Sequence, residues 1–442
     1  MTLDRFIETI RTGQFFDCDA DVFIARAPGR LDVMGGIADY SGSLVLQRPI
    51  AEATWAAFQP THQGDIRGGS RVLSLGQPNR TASIDLVTAM EYQRARELFT
   101  SRETHRWIAY IAGVFLVLVR ERGVRLNEGT LLISSSVPEA KGVASSAALE
   151  VAVMQAVCAA HSIQLPAHEI AVLCQMAENL VAGAPCGVMD QMTSACGEED
   201  SLLSLLCQPA ELQPPVKVPD EMRFWGIDSG ERHAVSGADY GSVRCGAFMG
   251  FRMITGADKS GGYLANISVD EFERSYQASL PEEMSGAEFL RRYGRTADSL
   301  TTVDPARNYK IRQPTAHPVY EHRRVKEFRD LLLDSCHELQ LQRLGELMYE
   351  SHASYSACGL GSRGTDLIVD LVRTAGPKTG LYGARITGGG SGGTVVAVGR
   401  ADSDRTVADI VEQYANATGY RPHVFSGSSP GACRFGVHRV RL

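Results

Sequence analysis

The alternation of apolar and polar positions divides the 442-residue chain into short strands and longer helices. Apolar residues at Leu149, Val153, Ala156 and Ala160 follow the spacing of one helical face and predict a helix over 147–161. Length and apolar content predict further helices at 107–120 and 167–181, and two within 323–351 that are separated near Gln340. Short apolar runs predict strands at 24–27, 45–57 and 131–135, and a strand, a glycine turn and a second strand over 382–398. This mixed order is typical of an α+β protein.

The length of the chain and a break in its apolar pattern indicate two domains. A chain of 442 residues exceeds the usual size of one hydrophobic core. Pro214 and Pro215 precede a new apolar run, so we place the boundary at residue 215, between domains 1–215 and 216–442. Residues 253–312 are richer in charged and turn residues and are predicted to form a partly exposed insertion.

Composition excludes several classes of protein. The formal charge of −7 gives no electrostatic footprint for nucleic acid. The first residues lack the pattern of a secretory signal, and the longest apolar run, 108–119, is too short to span a bilayer. The ten cysteines show neither Cys-x-x-Cys pairs nor zinc-ligand spacing, which predicts reduced thiols and a cytoplasmic location. The sequence indicates no oligomeric state.

A candidate phosphate site lies where the strand at 131–135 leads into the helix at 147–161. The connecting sequence, residues 137–148, places Gly142, Ser145 and Ser146 at the mouth of the helix. Exposed backbone N–H groups and the helix dipole favour an anion there, and a serine hydroxyl can bind the Mg²⁺ of a nucleotide. An ordinary serine N-cap is the alternative. The sequence matches neither the Walker A nor the Rossmann pattern.

Two further segments carry candidate chemistry. Glu178 lies in a helical apolar run, and Asp190 follows a Pro-Cys-Gly turn; two unrelated surface carboxylates would have the same pattern. Residues 386–394 contain five glycines within six positions, which allows a close backbone approach to a ligand. A flexible linker is the alternative, but the strand-like flanks favour an ordered turn.

In their order along the chain these segments resemble the GHMP kinases, in particular the galactokinase branch. The first signature is Ala27-Pro-Gly-Arg-Leu-Asp-Val-Met-Gly-Gly-Ile-Ala-Asp-Tyr-Ser-Gly42, which keeps the Arg30, Asp39 and Tyr40 of that branch. Where galactokinases read Gly-Glu-His-Thr-Asp-Tyr, this chain reads Gly35-Gly36-Ile37-Ala38-Asp39-Tyr40. The resemblance implies a ribosomal-protein-S5-like α/β N-terminal domain, a ferredoxin-like C-terminal domain, and an active site between them.

The same resemblance implies roles for individual residues. Asp190 would be the catalytic carboxylate, and Arg30 would stabilise both Asp190 and the developing phosphate charge. Ser146 and Glu178 would bind Mg²⁺. ATP would lie on a loop in which Ala140 and Ala144 replace the first glycine and first serine of the family, formed by Pro138, Lys141, Gly142, Val143, Ala144, Ser145, Ser146 and Ala147. The implied sugar contacts are Gly36, Ile37, Ala38, Asp39, Tyr240, Gly389 and Gly390, although a core position remains the alternative for Tyr240.

The replaced positions in the first signature bear on the substrate. In galactokinases the glutamate reaches toward the C6 hydroxyl, whereas Gly36 and Ile37 offer no polar side chain. L-arabinopyranose has the ring configuration of galactose but lacks C6. A pocket built for the C6 hydroxyl would leave polar groups unpaired against arabinose and discriminate against it by roughly 10⁴-fold, and a pocket without these groups avoids that loss. Ile37 is expected to fill the vacated volume. Residues 317–321, 347–352 and 354–362 resemble the kinase portion of plant L-arabinokinases. The plant enzymes carry an additional N-terminal glycosyltransferase-like region, and we expect this protein to be a stand-alone kinase.

The predicted activity is therefore phosphorylation of the anomeric hydroxyl of L-arabinose by ATP. Galactokinase and galacturonokinase activities are the alternatives within the enzyme class, although positions 36–38 offer no cation for a carboxylate. A sugar-sensing galactokinase homologue without catalysis is the alternative in a different class.

Overall fold

The computed structural model describes residues 1–61, 70–75, 80–84, 90–101, 106–231, 239–256, 262–334 and 337–442. The strands in these ranges are β1 (Asp21–Met34), β2 (Leu44–Pro60), β3 (Ser70–Leu75), β4 (Arg80–Ile84), β5 (Gly129–Ser135), β6 (Ser201–Leu206), β7 (Glu211–Lys217), β8 (Met222–Asp228), β9 (Glu283–Ser285), β10 (Asn308–Lys310), β11 (Leu381–Ile386), β12 (Thr394–Arg400), β13 (Val424–Phe425) and β14 (Val437–Arg441). The α-helices are α1 (Leu3–Gly13), α2 (Tyr92–Thr100), α3 (Arg106–Arg122), α4 (Ser145–Ala160), α5 (Ala167–Ala177), α6 (Met189–Cys196), α7 (Asp239–Thr255), α8 (Val269–Glu271), α9 (Gly286–Tyr293), α10 (Arg312–Leu333), α11 (Glu338–Cys358), α12 (Arg363–Ala375), α13 (Asp404–Thr418) and α14 (Ala432–Phe435).

The larger sheet forms the N-terminal half of the fold. Its described strands follow the order β14-β1-β2-β5-β3-β4, and β6 pairs with both β2 and β7. Helix α4 lies across β1 and β2 and contacts α3, α5 and α6 on its other sides. This helix is apolar around most of its circumference because it is enclosed in this way, with Val151, Val153 and Val157 fully buried.

The smaller sheet forms the C-terminal half. Its described strands run antiparallel in the order β11-β12-β8-β13. Helices α12 and α13 cover one face, where Ile368, Val372, Ile410 and Tyr414 pack against the buried strand residues. The strand, glycine turn and strand predicted over 382–398 are confirmed as β11, a loop and β12.

Two strands cross the predicted domain boundary. Strand β7 (Glu211–Lys217) passes residue 215 and pairs with β6 in the larger sheet. Strand β14 (Val437–Arg441) returns to the same sheet and pairs with β1. The mixed architecture that the sequence predicts is confirmed, whereas the boundary at 215 stays a prediction.

The predicted insertion packs into an apolar cluster that it shares with neighbouring elements. Phe272 and Phe289 are fully buried there, and they belong to an apolar cluster that also contains Ile37 and Tyr40. The Tyr263 ring lies against Gly42, where an added Cβ atom would come within 2.4 Å of it. The insertion therefore packs around the end of the first signature.

Most of the predicted elements are confirmed, with three differences in detail. The two helices predicted within 323–351 are α10, which begins earlier at Arg312 and ends at Leu333, and α11, which begins at Glu338 and contains Gln340. Strand β1 continues to Met34, because Arg30–Met34 pairs with Leu46–Pro49 of β2, so the first signature begins on a strand. The helix predicted over 167–181 is α-helical to Ala177 and then forms one π-helical turn over Glu178–Ala182. None of the helices that the structure describes has both the length and the apolar content to cross a membrane.

Candidate active site

A buried arginine joins three parts of the candidate site. Arg30 lies on β1, is 2% exposed, and donates hydrogen bonds to both carboxylate oxygens of Asp190 at 2.7 to 2.9 Å. Its third nitrogen donates to the Gly142 carbonyl at 2.7 Å. Asp190 lies in the first turn of α6, with 19% of its side chain exposed. The predicted catalytic pair is therefore assembled at the edge of the predicted phosphate loop.

A second carboxylate lies beside this pair. Asp39 belongs to a 3₁₀ turn, Gly36–Ser41, and is 4% exposed. Burial and the nearby charge of Asp190 raise the pKa of Asp39 to about 7, against a lowering influence of Arg244. Gly187 leaves room for this side chain, since a Cβ atom there would lie 1.8 Å from Asp39 Oδ2. Asp39 therefore lies close enough to Asp190 for their charges to act on each other.

The phosphate loop (residues 137–144) leads into helix α4, whose N-terminus has no side-chain cap. Its backbone has positive φ at Ala140, Gly142 and Ala144, so the two alanines adopt the left-handed conformation usually reserved for glycine. Ala144 precedes the first turn of α4, and no side chain caps that turn. The amide groups there are left for a ligand or water. The side chains of Val143 and Ala147 are buried, whereas Pro138, Lys141, Gly142, Ser145 and Ser146 are partly exposed.

The glycine loop (residues 387–393) packs backbone to backbone against the phosphate loop. A Cβ atom on Gly388 would lie 2.8 Å from the Gly142 carbonyl oxygen. Thr394 donates a hydrogen bond to the Lys141 carbonyl at 2.8 Å, and Lys141 Nζ forms an ion pair with Asp228 at 3.0 Å. Gly389 is partly exposed, and Gly390 packs against Leu360. The two loops thus form adjacent walls of the cleft.

The two predicted metal ligands are brought together. Burial and the charge of Asp190 raise the pKa of Glu178 to about 7, against a lowering influence of the nearby Ser146 hydroxyl. Gln191 Nε2 donates to Glu178 Oε2 at 2.6 Å and to Glu150 Oε2 at 3.1 Å. Glu150 is fully buried, and burial and Glu178 raise its pKa strongly.

Three sequence profiles of known protein families match segments that carry the candidate site. The sequence profile of the GHMP kinases N terminal domain matches residues 109–198, and that of the GHMP kinases C terminal domain matches residues 332–420. The galactokinase galactose-binding signature matches residues 13–60. These ranges contain Arg30, Ser146, Glu178, Asp190 and the glycine loop.

Individual relatives extend the match to nearly the whole chain. The galactokinase of Chloroflexus aurantiacus is 31% identical over 399 residues, covering 90% of this chain and 89% of that protein. The chain belongs to the GHMP kinases, in the galactokinase branch. The L-arabinokinase of Arabidopsis thaliana is 44% identical over 495 residues. That match covers 97% of this kinase, which spans 48% of the length of the plant protein.

Solved structures agree with the fold of this kinase. Lactococcus lactis galactokinase in complex with galactose superposes with a TM-score of 0.76 at 21% identity, and covers 99% of this chain and all of that one. A mevalonate kinase covers 92% of this kinase and 99% of that chain, with a TM-score of 0.54 at 14% identity. The predicted GHMP fold is confirmed.

The Gly36–Ser41 turn of the kinase is held by side chains from other elements. The backbone N–H groups of Gly35, Gly36 and Ile37 donate to Glu321 Oε1 at 3.3 Å, Asp32 Oδ1 at 3.1 Å and Tyr355 Oη at 2.7 Å, respectively. Gly36, Ile37 and Ala38 are buried. The expectation that Ile37 fills the vacated volume is corrected at position 36: Tyr355 Oη takes the place of a side chain there, and Ile37 packs in the apolar cluster shared with the insertion.

Tyr240 lies at the start of α7 beside the same turn. Its ring meets Tyr40 edge to face at 6.0 Å, and burial and the nearby Asp39 raise its pKa. On the next turn of α7, Arg244 packs its guanidinium 5.0 Å from the Tyr40 ring and forms a bidentate ion pair with Asp298. Helix α7 thereby supplies a buried cation near Asp39, and Asp298 of the insertion pairs with that cation.

Sequence analysis missed four groups that shape the cleft: Asp32, Glu150, Arg244 and Tyr355. Three of them had a visible signal. Asp32 lies within the first signature, Glu150 interrupts an apolar helix one turn after Ser146, and Tyr355 lies within the stretch 354–362. The ion pair of Arg244 with Asp298 spans 54 residues and had no signal in the local pattern.

Proposed function

We propose that this kinase transfers the terminal phosphoryl group of ATP to the anomeric hydroxyl of L-arabinose, giving L-arabinose 1-phosphate and ADP. The observation that carries the proposal is the convergence of Arg30, Asp190 and Asp39 beside the uncapped start of α4. The likeness to L-arabinokinase over 97% of the chain supports the choice of sugar. The absence of a side chain at Gly36, next to Asp39, supports it independently.

The phosphate loop fits a nucleotide. A helix start without a side-chain cap presents N–H donors and the positive end of the helix dipole, which are the donors that phosphate groups bind. We assign ATP contacts to Pro138, Lys141, Gly142, Val143, Ala144, Ser145, Ser146 and Ala147, with the buried Val143 and Ala147 contributing through their backbone.

Ser146 and Glu178 fit Mg²⁺. The ion prefers oxygen donors and usually keeps one or two carboxylates together with phosphate oxygens and water. The Ser146 hydroxyl and the Glu178 carboxylate are neighbours near the start of α4, and burial and the charge of Asp190 raise the pKa of Glu178, an effect that a bound cation would oppose. When bound, Mg²⁺ neutralises phosphate charge.

Asp190 is placed to accept or orient the proton of the attacking hydroxyl. Arg30 keeps both of its oxygens in one orientation, and the same guanidinium also contacts Gly142 of the phosphate loop. It therefore lies between the carboxylate and the region where phosphate charge develops. We assign the sugar side of the proposed site to Asp39 and Tyr240, together with the backbone at Gly36, Ile37, Ala38, Gly389 and Gly390.

A coupled ADP-release assay with L-arabinose, D-galactose and D-galacturonate tests this function. We expect the highest kcat/KM with L-arabinose and about 10²-fold less with galactose, because an apolar pocket rejects an added hydroxyl only weakly. Galacturonate should be the poorest substrate, since residues 36–38 provide no cation. Galactose as the preferred substrate would make the chain a galactokinase, and no turnover with any sugar would contradict the proposal.

Sugar binding should depend on pH through Asp39. An ionised carboxylate accepts hydrogen bonds from sugar hydroxyls, and burial together with the charges of Asp190 and Asp32 raises the pKa of Asp39 to about 7, against a lowering influence of Arg244. Between pH 6 and pH 8 the ionised fraction rises about tenfold, so the Kd for the sugar should fall by about that factor. Calorimetric titration without nucleotide or magnesium measures it. The Asp39→Asn variant should lose the dependence; the same slope in that variant would contradict the assignment.

A further inference from the structure

The Tyr355 hydroxyl occupies the place of a side chain at position 36. A Cβ atom built on Gly36 lies 1.6 Å from Tyr355 Oη and 2.7 Å from its Cζ, whereas real Cβ atoms essentially never come within 3.0 Å of another atom. Gly36 also has a φ of +47°, which disfavours any residue with a side chain. Glycine at 36 and tyrosine at 355 are therefore sterically dependent on each other.

Tyr355 has little freedom to move away from Gly36. Its side chain is fully buried on α11. The ring meets His317 edge to face at 5.2 Å, and the Arg385 guanidinium lies 5.0 Å from the ring centre. Displacing the ring would open a cavity between these neighbours, which costs stability.

The same hydroxyl connects the two sides of the cleft. It accepts a hydrogen bond from the Ile37 N–H at 2.7 Å and donates one to the Gly388 carbonyl at 3.0 Å. The first bond holds the turn that carries Asp39, and the second holds the glycine loop. A shift of Tyr355 would therefore move both the proposed sugar site and its wall.

We infer that Tyr355 is a positioning residue that sets the sugar specificity of the kinase. Its hydroxyl fills the side-chain volume of position 36 and is already hydrogen-bonded to the Ile37 N–H and the Gly388 carbonyl, so it keeps any further polar side chain away from this edge of the pocket. A sugar with an additional hydroxymethyl group would have to bury that hydroxyl here without a partner, which disfavours hexopyranoses relative to pentopyranoses. The inference rests on the proposed function and names the residue that determines its selectivity.

A two-by-two set of variants tests the steric dependence: Gly36→Ala, Tyr355→Leu, and the double variant. Leucine ends short of the ring Cζ and frees the volume beside position 36. Gly36→Ala alone should lower the Tm and reduce kcat/KM for L-arabinose by about 100-fold. In the Tyr355→Leu background the loss of kcat/KM caused by Gly36→Ala should be about tenfold smaller, because only the backbone strain and the milder contact with Asp32 Oδ2 at 2.8 Å remain. Equal losses in both backgrounds would overturn the inference.

If Tyr355 had a purely structural role, its replacement would not change the ratio of kcat/KM for the two sugars. In Tyr355→Leu, the ratio of kcat/KM for D-galactose to that for L-arabinose should rise about tenfold, since the opened volume admits the extra hydroxyl with water. In Tyr355→Phe, the ring stays and two hydrogen bonds are lost, so the KM for the sugar should rise about tenfold while the KM for ATP and the sugar ratio stay unchanged. An unchanged ratio in Tyr355→Leu would overturn the inference.

Tyr382→Phe is the matched control. Tyr382 is 4% exposed, and its hydroxyl donates to Glu338 at 2.8 Å, outside the residues assigned to the cleft. Its loss should lower the Tm without changing the KM for the sugar; a KM as high as that of Tyr355→Phe would overturn the inference.

The turnover of the wild type on both sugars distinguishes failure of the proposed function from failure of the role assigned to Tyr355. A wild type without turnover on either sugar contradicts the proposed function and removes the specificity inference with it. A second possible result is that the wild type phosphorylates L-arabinose while the losses of kcat/KM in Gly36→Ala and Tyr355→Leu are additive and the ratio of kcat/KM for D-galactose to that for L-arabinose is unchanged in Tyr355→Leu. That result overturns only the role of Tyr355.

Discussion

Asp190→Asn is expected to lower kcat by about 10²- to 10⁴-fold, which is the usual contribution of a positioned general base. Asparagine cannot accept a proton from the attacking hydroxyl at neutral pH. It also removes the negative charge that pairs with Arg30, whose side chain is only 3% exposed. Sugar binding should persist nearly unchanged, because Asp39 and Tyr240 keep their places. The measurement is kcat by coupled ADP release, with the Kd for L-arabinose from calorimetry.

Asp220→Asn serves as the control for this substitution. Its carboxylate is 86% exposed and pairs with Lys217 at 3.5 Å, and neither residue is assigned to the proposed site. We expect wild-type kinetics from it. Near-normal turnover by Asp190→Asn would remove Asp190 from the mechanism, whereas loss of both turnover and sugar binding would indicate a binding role instead.

Gly187→Ala is the second substitution with a large expected effect. The added methyl group would lie 1.8 Å from Asp39 Oδ2 and 2.2 Å from its Cγ. Asp39 cannot easily yield, because it is buried and accepts a hydrogen bond from the Tyr40 N–H at 2.6 Å. Overpacking costs about 1–3 kcal/mol, and here it falls on the proposed sugar-binding carboxylate, so kcat/KM should fall by up to about 100-fold.

The loss should be mainly in the KM for the sugar, since Gly187 contacts Asp39 rather than the phosphate loop. Gly241→Ala in α7 is the matched control, because no described atom lies within 4 Å of a Cβ atom built there. It should leave the kinetics unchanged and leave the Tm equal or slightly raised. A sugar KM for Gly187→Ala equal to that of Gly241→Ala would show that Asp39 does not contact the sugar.

The predicted site residues that the fold brings close together lie within short, continuous segments. Arg30, Ser146, Glu178 and Asp190 each lie in a motif whose local structure follows from turn residues and helical periodicity, and the fold brings these motifs to one cleft. The resemblance supplied their relative placement. Periodicity alone would have left Glu178 and Asp190 as two separate carboxylates.

The filling of position 36 could not be predicted in the same way. Two successive glycines with positive φ, Gly35 and Gly36, reverse the chain, so a linear pattern cannot tell which side of the turn Ile37 faces. The group that takes the volume, Tyr355, is 318 residues away from Ile37, to which it is hydrogen-bonded. Long-range contacts of single side chains leave no periodic signal.

One ion pair has a consequence for the motion of the molecule. Asp32 on β1 and Arg385 on β11 join the two sheets at 2.9 Å, and both side chains are fully buried. Rotating one half of the kinase away from the other would separate these charges in an apolar interior, which costs several kcal/mol. The cleft floor therefore resists hinge bending at this point. Substrate entry and product release then depend on local movement at the rim rather than on rotation of whole domains.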